Sequence, residues 1–542
     1  MRFSMITPGL LIGAVAVLGA FGACNPDVPV SQPNGFTPFR QSETSAVYVA
    51  ATDTIIVTYN DLSGFDEVGV SNLVPKTPGI KNGVWDGQSF AGYAVLPNIG
   101  SNLAFAPWKP QPPIQPLQPQ PPLPGKPPQL LPLIMRGDPA VATNGKRLLY
   151  ANLAYTDFDD LRNVPRKNGV ERGPDALAIA VDDTGTGAFG APYVAGQFPG
   201  VFVDQSSLSM VGNTAVAAFD DGQAGARLGD IWLLTTDSSG TPSQFWAPEN
   251  LVTDPVNPLA NWVRGRGRAI VKLASPTLGY LAYMEDDFTA SNGKVISSNA
   301  HYVVVRLTRS GLGSPWDTQE IFRFQPLFST AVSASGRSVD GKLSQWQDLN
   351  PLGFDIGNGG TELHLVARDQ ASPQASTSVR YFHCDDTGFA CANFSNWTRE
   401  AFQTTPGGEF QPWVVADPRP GISLAAVSWY QQQGGTDRFQ VVGVEVGSDQ
   451  AMPHVVQPLQ FGPFEPCLTP TDPNTGLQTF GDYESSVWLP YSSTNFLESR
   501  QQPQWATMYT RSTQCTGKSL DGLTLSNVVT DQAIGATRWS AL

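Results

Sequence analysis

Three arginines stand at alternate positions in the stretch "WVRGRGR": Arg264, Arg266 and Arg268. Residues two apart on an extended strand project from one face. Such a row could hold a carboxylate or a sulfate-bearing polysaccharide through forked, charge-assisted hydrogen bonds. The plainer reading is a solvated edge whose charges deter pairing with another sheet. Carboxylates gather in "DFDD" (157–160) and "MEDD" (284–287). Oxygen donors of that kind suit Ca²⁺, although loop solvation explains them more simply. The four histidines, His301, His364, His383 and His454, are dispersed, and none forms an H-E-x-x-H pair. His364, within "ELHLV", reads as a core histidine rather than a ligand. There is no Gly-x-Ser-x-Gly elbow and no phosphate loop. The residues therefore assign no catalytic group, no metal site and no cofactor, with Ca²⁺ as the one cation to consider.

The elements that carry these residues recur. A strand that runs aliphatic, small, aromatic and then polar or acidic occurs as "IIVTYND" (55–61), "LLYANLAYTD" (148–157), "TAVAAFDD" (214–221) and "LGYLAYMED" (278–286). Weaker copies are "TELHLVARD" (361–369), "SLAAVSWYQ" (423–431) and "PQWATMYTR" (503–511). Tyr155, Phe219 and Tyr283 follow one another at equal spacing, and Tyr59 lies further upstream because a proline-rich insert intervenes. A fixed long period with several strands per copy is the mark of radial repetition. One small sheet cannot bury both of its faces, so copies must stack, and a ring lets each copy do so. The fold class expected is all-β, a β-propeller of four-stranded blades, seven by the count of copies and six as the alternative. With 53 glycines and 46 prolines, the composition suits many short strands separated by turns.

Most copies contain a second strand that ends in an Asp/Gly turn followed by an aromatic. Examples are "IAVDDTGTGAF" (179–189), "IWLLTTDSSGTPSQFW" (231–246), "VVVRLTRSGLGSPW" (303–316) and "VRYFHCDDTGFACANFSNW" (379–397). Asp and Gly supply the turn geometry. In these turns the chain resembles the sialidase-like, Asp-box β-propeller superfamily, whose turns read Ser-x-Asp-x-Gly-x-x-Trp. The pattern is degenerate here: Gly240 is displaced relative to Asp237, Arg309 replaces an acid, and Val181 and Cys384 replace the serine. "GDPAVATNGKRLLYA" (137–151), "FQPWVVADPRPGISLAAV" (410–427) and "FGDYESSVWLPY" (480–491) are similar to stretches of bacterial members. The resemblance implies three arginines on a substrate carboxylate, a Tyr/Glu nucleophile pair and an acidic proton donor. The Arg-Ile-Pro signature of the first blade is absent, and no such role carries onto Arg136 or Arg368.

The chain opens with Arg2 and an apolar run to Ala23, and small residues precede Cys24, as in an export signal. Phe21-Gly22-Ala23-Cys24 resembles a bacterial lipobox, which implies lipidation of Cys24. That leaves Cys384, Cys391, Cys467 and Cys515 for two disulfides: Cys384 with Cys391 across a turn, and Cys467 with Cys515 by elimination. The expected division is a signal at 1–23, a lipidated cysteine and tether at 24–45, and a propeller at 46–542. Residues 109–132 form a proline-rich insertion expected to stay out of the sheets, since proline removes a ladder donor. A net charge of −14 argues against nucleic acid as a partner. The reading is a monomeric, lipid-anchored protein of the bacterial outer membrane or cell surface, or else a secreted one. It would act as a binding or scaffold module for a glycan or protein. The alternatives are an exo-acting glycoside hydrolase and a structural envelope protein.

Overall fold

The computed structural model describes residues 28–31, 41–61, 65–67, 73–75, 80–81, 84–85, 91–101, 105–111, 114, 134–135, 137–155, 176–198, 203–221, 231–240, 246–250, 262–291, 294–325, 352–370, 377–402, 409–432, 439–447, 454–455, 460–464, 471–472, 477–478, 485–489, 504–514 and 531–540. Seven antiparallel sheets dominate, each four strands wide from a central axis outward, with an additional strand piece in two of them. They are the blades of a propeller. Blade 1 comprises Gln41–Val49, Thr54–Asp61, Ala91–Pro97 and Lys109–Gln111. Blade 2 has an inner strand in two pieces, Ile134–Met135 and Ala140–Thr143, followed by Leu148–Tyr155, Ala176–Asp182 and Tyr193–Gln197. Blade 3 is Val203–Val211, Thr214–Asp221, Ile231–Thr236 and Ala247–Asn250. The strands of blade 4, Trp262–Ser275, Leu278–Ser291, Lys294–Thr308 and Asp317–Phe324, include the longest in the ring.

Blade 5 is Leu352–Gly357, Glu362–Gln370, Thr377–Asp385 and Thr398–Ala401. In blade 6, Glu409–Ala416, Leu424–Gln432 and Phe439–Gly447 are flanked by His454–Val455 and Gln460–Phe464, which both pair with the third strand. Blade 7 takes Ser485–Leu489, Gln504–Gln514 and Asp531–Ser540 from the C-terminal part, and its outer strand is Val28–Pro29 from the N-terminal part. The two ends of the chain thus share one sheet. Val28–Pro29 and the start of Gln41–Val49 fall within 24–45, so the propeller takes up residues expected to form a tether.

The recurring aliphatic-small-aromatic strand is the second strand of each blade. Both of its faces are covered, which is why it reads as a nearly continuous apolar run rather than an alternation. Seven apolar clusters lie between consecutive blades. That between blades 7 and 1 joins Val487, Leu489 and Met508 to Ile55, Val57 and Leu96, and that between blades 3 and 4 joins Val216 and Leu233 to Val271 and Tyr283. Among the described residues no cluster belongs to one blade alone, so each sheet buries its apolar faces only against its neighbours.

The repeat spacing reappears as hydrogen bonds between inner strands. Ser45 Oγ accepts from the backbone N–H of Val141, 96 residues on. Ser207 Oγ and Ser209 Oγ accept from Val271 and Leu273, each 64 residues on. One expectation needs correction. Lys109–Gln111, the start of the proline-rich stretch, pairs with Tyr93–Val95 as the outer strand of blade 1. Proline is tolerated there because an outer strand leaves one edge without a ladder partner. Residues 115–133 lie outside the described residues.

Candidate functional site

At the end of the ring where the inner strands begin, those strands are irregular at one common level. The register of inner against second strand shifts between Ser42 and Thr44 in blade 1, Asp204 and Ser207 in blade 3, Gly267 and Ile270 in blade 4, and Phe410 and Trp413 in blade 6. In blade 2 the inner strand breaks at the same level. Bulges re-aim side chains and concentrate beside functional sites. At three of these points a non-glycine residue adopts the left-handed region: Asp138 at φ 49°, Arg268 at φ 57° and Gln411 at φ 48°. All three are buried. Such a conformation costs roughly 1–3 kcal/mol and persists only where the surroundings enforce it.

The bulges surround a cavity of about 190 Å³ on the ring axis. Its wall combines apolar and small hydroxyl residues with Arg268, Lys272, Asp355 and Trp413. The Arg268 guanidinium lies 5.7 Å from the centroid of the Trp413 ring. Lys272 Nζ contacts Asp355 Oδ1 at 2.9 Å, and Asp355 Oδ2 accepts from the backbone N–H of Ala416 at 2.9 Å. The hydroxyls tie neighbouring blades together: Thr44 Oγ1 and Ser485 Oγ are 2.9 Å apart, and Ser206 Oγ donates to Asp138 O at 2.6 Å.

Two buried carboxyls stand at this end in altered electrostatic states. Burial, reinforced by the nearby Asp138 carboxylate and only partly countered by Arg268, pushes Asp220 well above the usual carboxylate range. Its Oδ1 has no hydrogen-bond partner. A carboxyl held in its neutral form is a donor as well as an acceptor. Glu409, at the start of the blade 6 inner strand, is pushed up to about 7 by burial, although its Oε2 accepts from Val379 N at 2.8 Å. Glu285 is held differently, in an ion pair with Arg323 at 2.7 Å. A cation, an aromatic face and hydroxyl groups thus meet at the cavity wall, with Asp220 buried behind it.

Of the three alternating arginines, Arg268 reaches this cavity. Arg264 pairs in register with Asp287, and Arg266 with Glu285, but their side chains lie outside the described residues. The bulge between Gly267 and Ile270 interrupts the two-residue alternation at Arg268 itself. Cys384 and Cys391 are disulfide-bonded; Cys24, Cys467 and Cys515 lie outside the described residues, as do Arg136 and "DFDD" (157–160). Arg368 is buried near the end of the second strand of blade 5. Sequence reasoning missed Asp138, Asp220 and Trp413 as site residues. The only available signal was the shared X-Pro-x-Val at "DPAV" and "QPWV", which marks equivalent bulges in blades 2 and 6.

No protein-family model matches the sequence, and no curated protein does. Among solved structures, the leech intramolecular trans-sialidase is 11% identical, with a TM-score of 0.39, over 81% of this chain and 69% of that one. The Ruminococcus gnavus intramolecular trans-sialidase is 8% identical, with a TM-score of 0.38, over 81% and 96%. The parainfluenza virus 5 hemagglutinin-neuraminidase is 7% identical, with a TM-score of 0.37, over 76% and 90%.

Proposed function

We propose that the protein is a glycan-binding module that takes one sugar unit at the cavity ringed by the inner-strand bulges. The observation that carries this reading is the meeting of Arg268, Trp413 and hydroxyl residues around a cavity of about 190 Å³. A drug-sized ligand needs about 300–1,000 Å³, so a cavity below that range suits one ring of a glycan with the rest of the chain outside. The aromatic face supplies apolar contact to the C–H face of a sugar, and the guanidinium supplies forked donors to its oxygens. The same reading places the module outside the cytoplasm, lipid-anchored through Cys24, with turns related to the Asp-box. Asp386, at the Asp position of the blade 5 turn, accepts from the backbone N–H of Cys391 at 2.9 Å, which supports the last point.

A glycan array probed with the soluble form beginning after Cys24 tests the binding reading, followed by titration of any hit against Arg268→Gln. The expected result is a saturable hit weakened at least tenfold by the substitution. An array with no hit, or a hit indifferent to Arg268, defeats it. Hydrolysis of a fluorogenic glycoside that disappears in Asp220→Asn would replace binding with catalysis. The anchor is tested separately: Cys24→Ala should move the protein out of the membrane fraction, and unchanged fractionation removes that part of the reading.

A further inference from the structure

At the opposite end of the ring, three side chains of blade 5 converge on a point the proposed glycan site does not use. Glu362 and His364 are two apart on the second strand and share a face. His383 is the direct cross-strand partner of His364 on the third strand. One face of a two-stranded ladder therefore presents a carboxylate and two imidazoles side by side. Their candidate donor atoms all lie within 4.8 Å of one another. Glu362 Oε2 is 3.7 Å from His364 Nε2 and 3.4 Å from His383 Nε2.

Neither contact has hydrogen-bond geometry, so both Nε2 atoms are buried without a hydrogen-bond partner, an arrangement that costs free energy if nothing else fills it. They are close to the ligand–ligand separation of about 3.3 Å expected around a tetrahedral ion with bonds of roughly 2.0–2.1 Å. The remaining polar atoms are oriented as a supporting shell. His364 Nδ1 is 2.7 Å from the Tyr381 hydroxyl, the type of contact that fixes the tautomer of a ligating imidazole. Glu362 Oε1 accepts from Asn358 Nδ2 at 3.1 Å and from the Ser423 hydroxyl of blade 6, which turns Oε2 toward the rings. Space at His364 is kept open by Gly357, where a Cβ would come within 2.9 Å of Nε2.

We infer that Glu362, His364 and His383 form a site for a divalent first-row transition-metal ion, with Zn²⁺ as its natural occupant. One carboxylate and two imidazoles suit zinc better than Ca²⁺, which takes oxygen ligands. Because Ser423 and Asn358 steady the carboxylate from the turns of blades 6 and 5, the ion would fasten that corner of the interface.

The test uses the soluble chain beginning after Cys24, stripped with chelator and dialysed, then titrated with Co²⁺ and Zn²⁺. Expected are one equivalent of Co²⁺ with the intense visible bands of a four-coordinate site, displacement by Zn²⁺, and a gain in melting temperature on the order of 5 °C. His383→Gln should lose the bands, while His301→Gln, remote from the site, should keep them. Failure of the folded wild-type chain to bind either ion stoichiometrically, a six-coordinate spectrum, or a signal retained in His383→Gln overturns the inference. The wild-type titration decides the matter even if a variant does not fold.

Discussion

The two ends of the ring spend their buried polar groups differently. Where the third strands turn toward the outer strands, Asp386 and Asp237 are bound by neighbours across blade boundaries. Asp386 of blade 5 accepts from Tyr280 Oη at 2.8 Å, from Arg306 Nε at 2.8 Å, from Arg306 Nη2 at 2.5 Å and from Cys391 N at 2.9 Å. Asp237 of blade 3 binds Arg309 of blade 4 through two contacts and accepts from Gly313 N at 2.8 Å. Where the inner strands begin, Asp220 keeps an unsatisfied oxygen, Glu409 is protonated more readily than a free carboxyl, and three residues hold left-handed backbone. One end uses polarity to fasten blades. The other sets a buried carboxyl oxygen without a hydrogen bond beside bulged inner strands, whereas the left-handed residues of the fastened end, such as Asp53, Ser239 and Asn358, sit in turns and its unpartnered atoms include the Nε2 atoms of His364 and His383.

If that contrast is right, the largest loss of stability comes from the fastened end. Arg306→Ala leaves Asp386 buried with its cation gone, and breaking a buried pair in this way costs about 3–5 kcal/mol. The melting temperature should fall by several degrees, with glycan binding by the residual folded protein unchanged. A drop below about 1 kcal/mol would mean that the network at Asp386 is not a fastening. Arg309→Ala provides the graded comparison. Its partner Asp237 is 23% exposed, whereas the Asp386 side chain is fully buried. Water can replace part of what is lost, so a cost of about 1–2 kcal/mol is expected. Denaturant melts of the two variants should rank them in that order.

The contrast also explains which parts of the molecule were legible beforehand. The second strands carry the period because both of their faces are buried, and a doubly buried strand tolerates little but aliphatic, small and aromatic residues. The equal spacing of Tyr155, Phe219 and Tyr283 therefore survives as the inter-blade bonds from Ser207 and Ser209. The inner-strand mouth was far less legible. The alternation argument for Arg264, Arg266 and Arg268 assumes a regular strand, and "WVRGRGR" lacks the X-Pro-x-Val that accompanies the bulges of blades 2 and 6. Asp220 was visible only as an acidic strand end, because its closeness to Asp138 and Arg268 depends on the curvature that brings blades 2, 3 and 4 together. His364 and His383 are likewise unrelated until the register of blade 5 pairs them.

The acid–base behaviour of Glu409 sharpens the comparison at intermediate magnitude. Its carboxyl is raised from 4.5 to about 7 in the folded protein. The folded state therefore binds more protons than the unfolded one between those values, and the stability this group contributes at low pH is lost as pH rises through about 7. Glu445, also raised to about 7 by burial and then by Asp417, acts in the same sense. Glu409→Gln keeps an acceptor for Val379 N and removes the titration. The variant should lose less stability than the wild type between pH 5 and pH 8, with a difference on the order of 1–2 kcal/mol at the upper end. Parallel pH profiles for the two proteins would show that Glu409 is not strained in this way.

The smallest effect on stability should come from the residue with the largest expected effect on binding. Trp413 is partly buried and lines the cavity beside Arg268, so Trp413→Leu retains an apolar side chain against the wall while removing the flat face offered to a sugar. A stability change within about 1 kcal/mol is expected, since the site is not close-packed on its cavity side. Glycan affinity should fall at least tenfold in the same protein. Binding isotherms and thermal melts of one preparation separate the two readouts. If stability collapses while affinity holds, Trp413 belongs to the fastening of blades 5 and 6, and the division of labour between the two ends of the ring is wrong at its central residue.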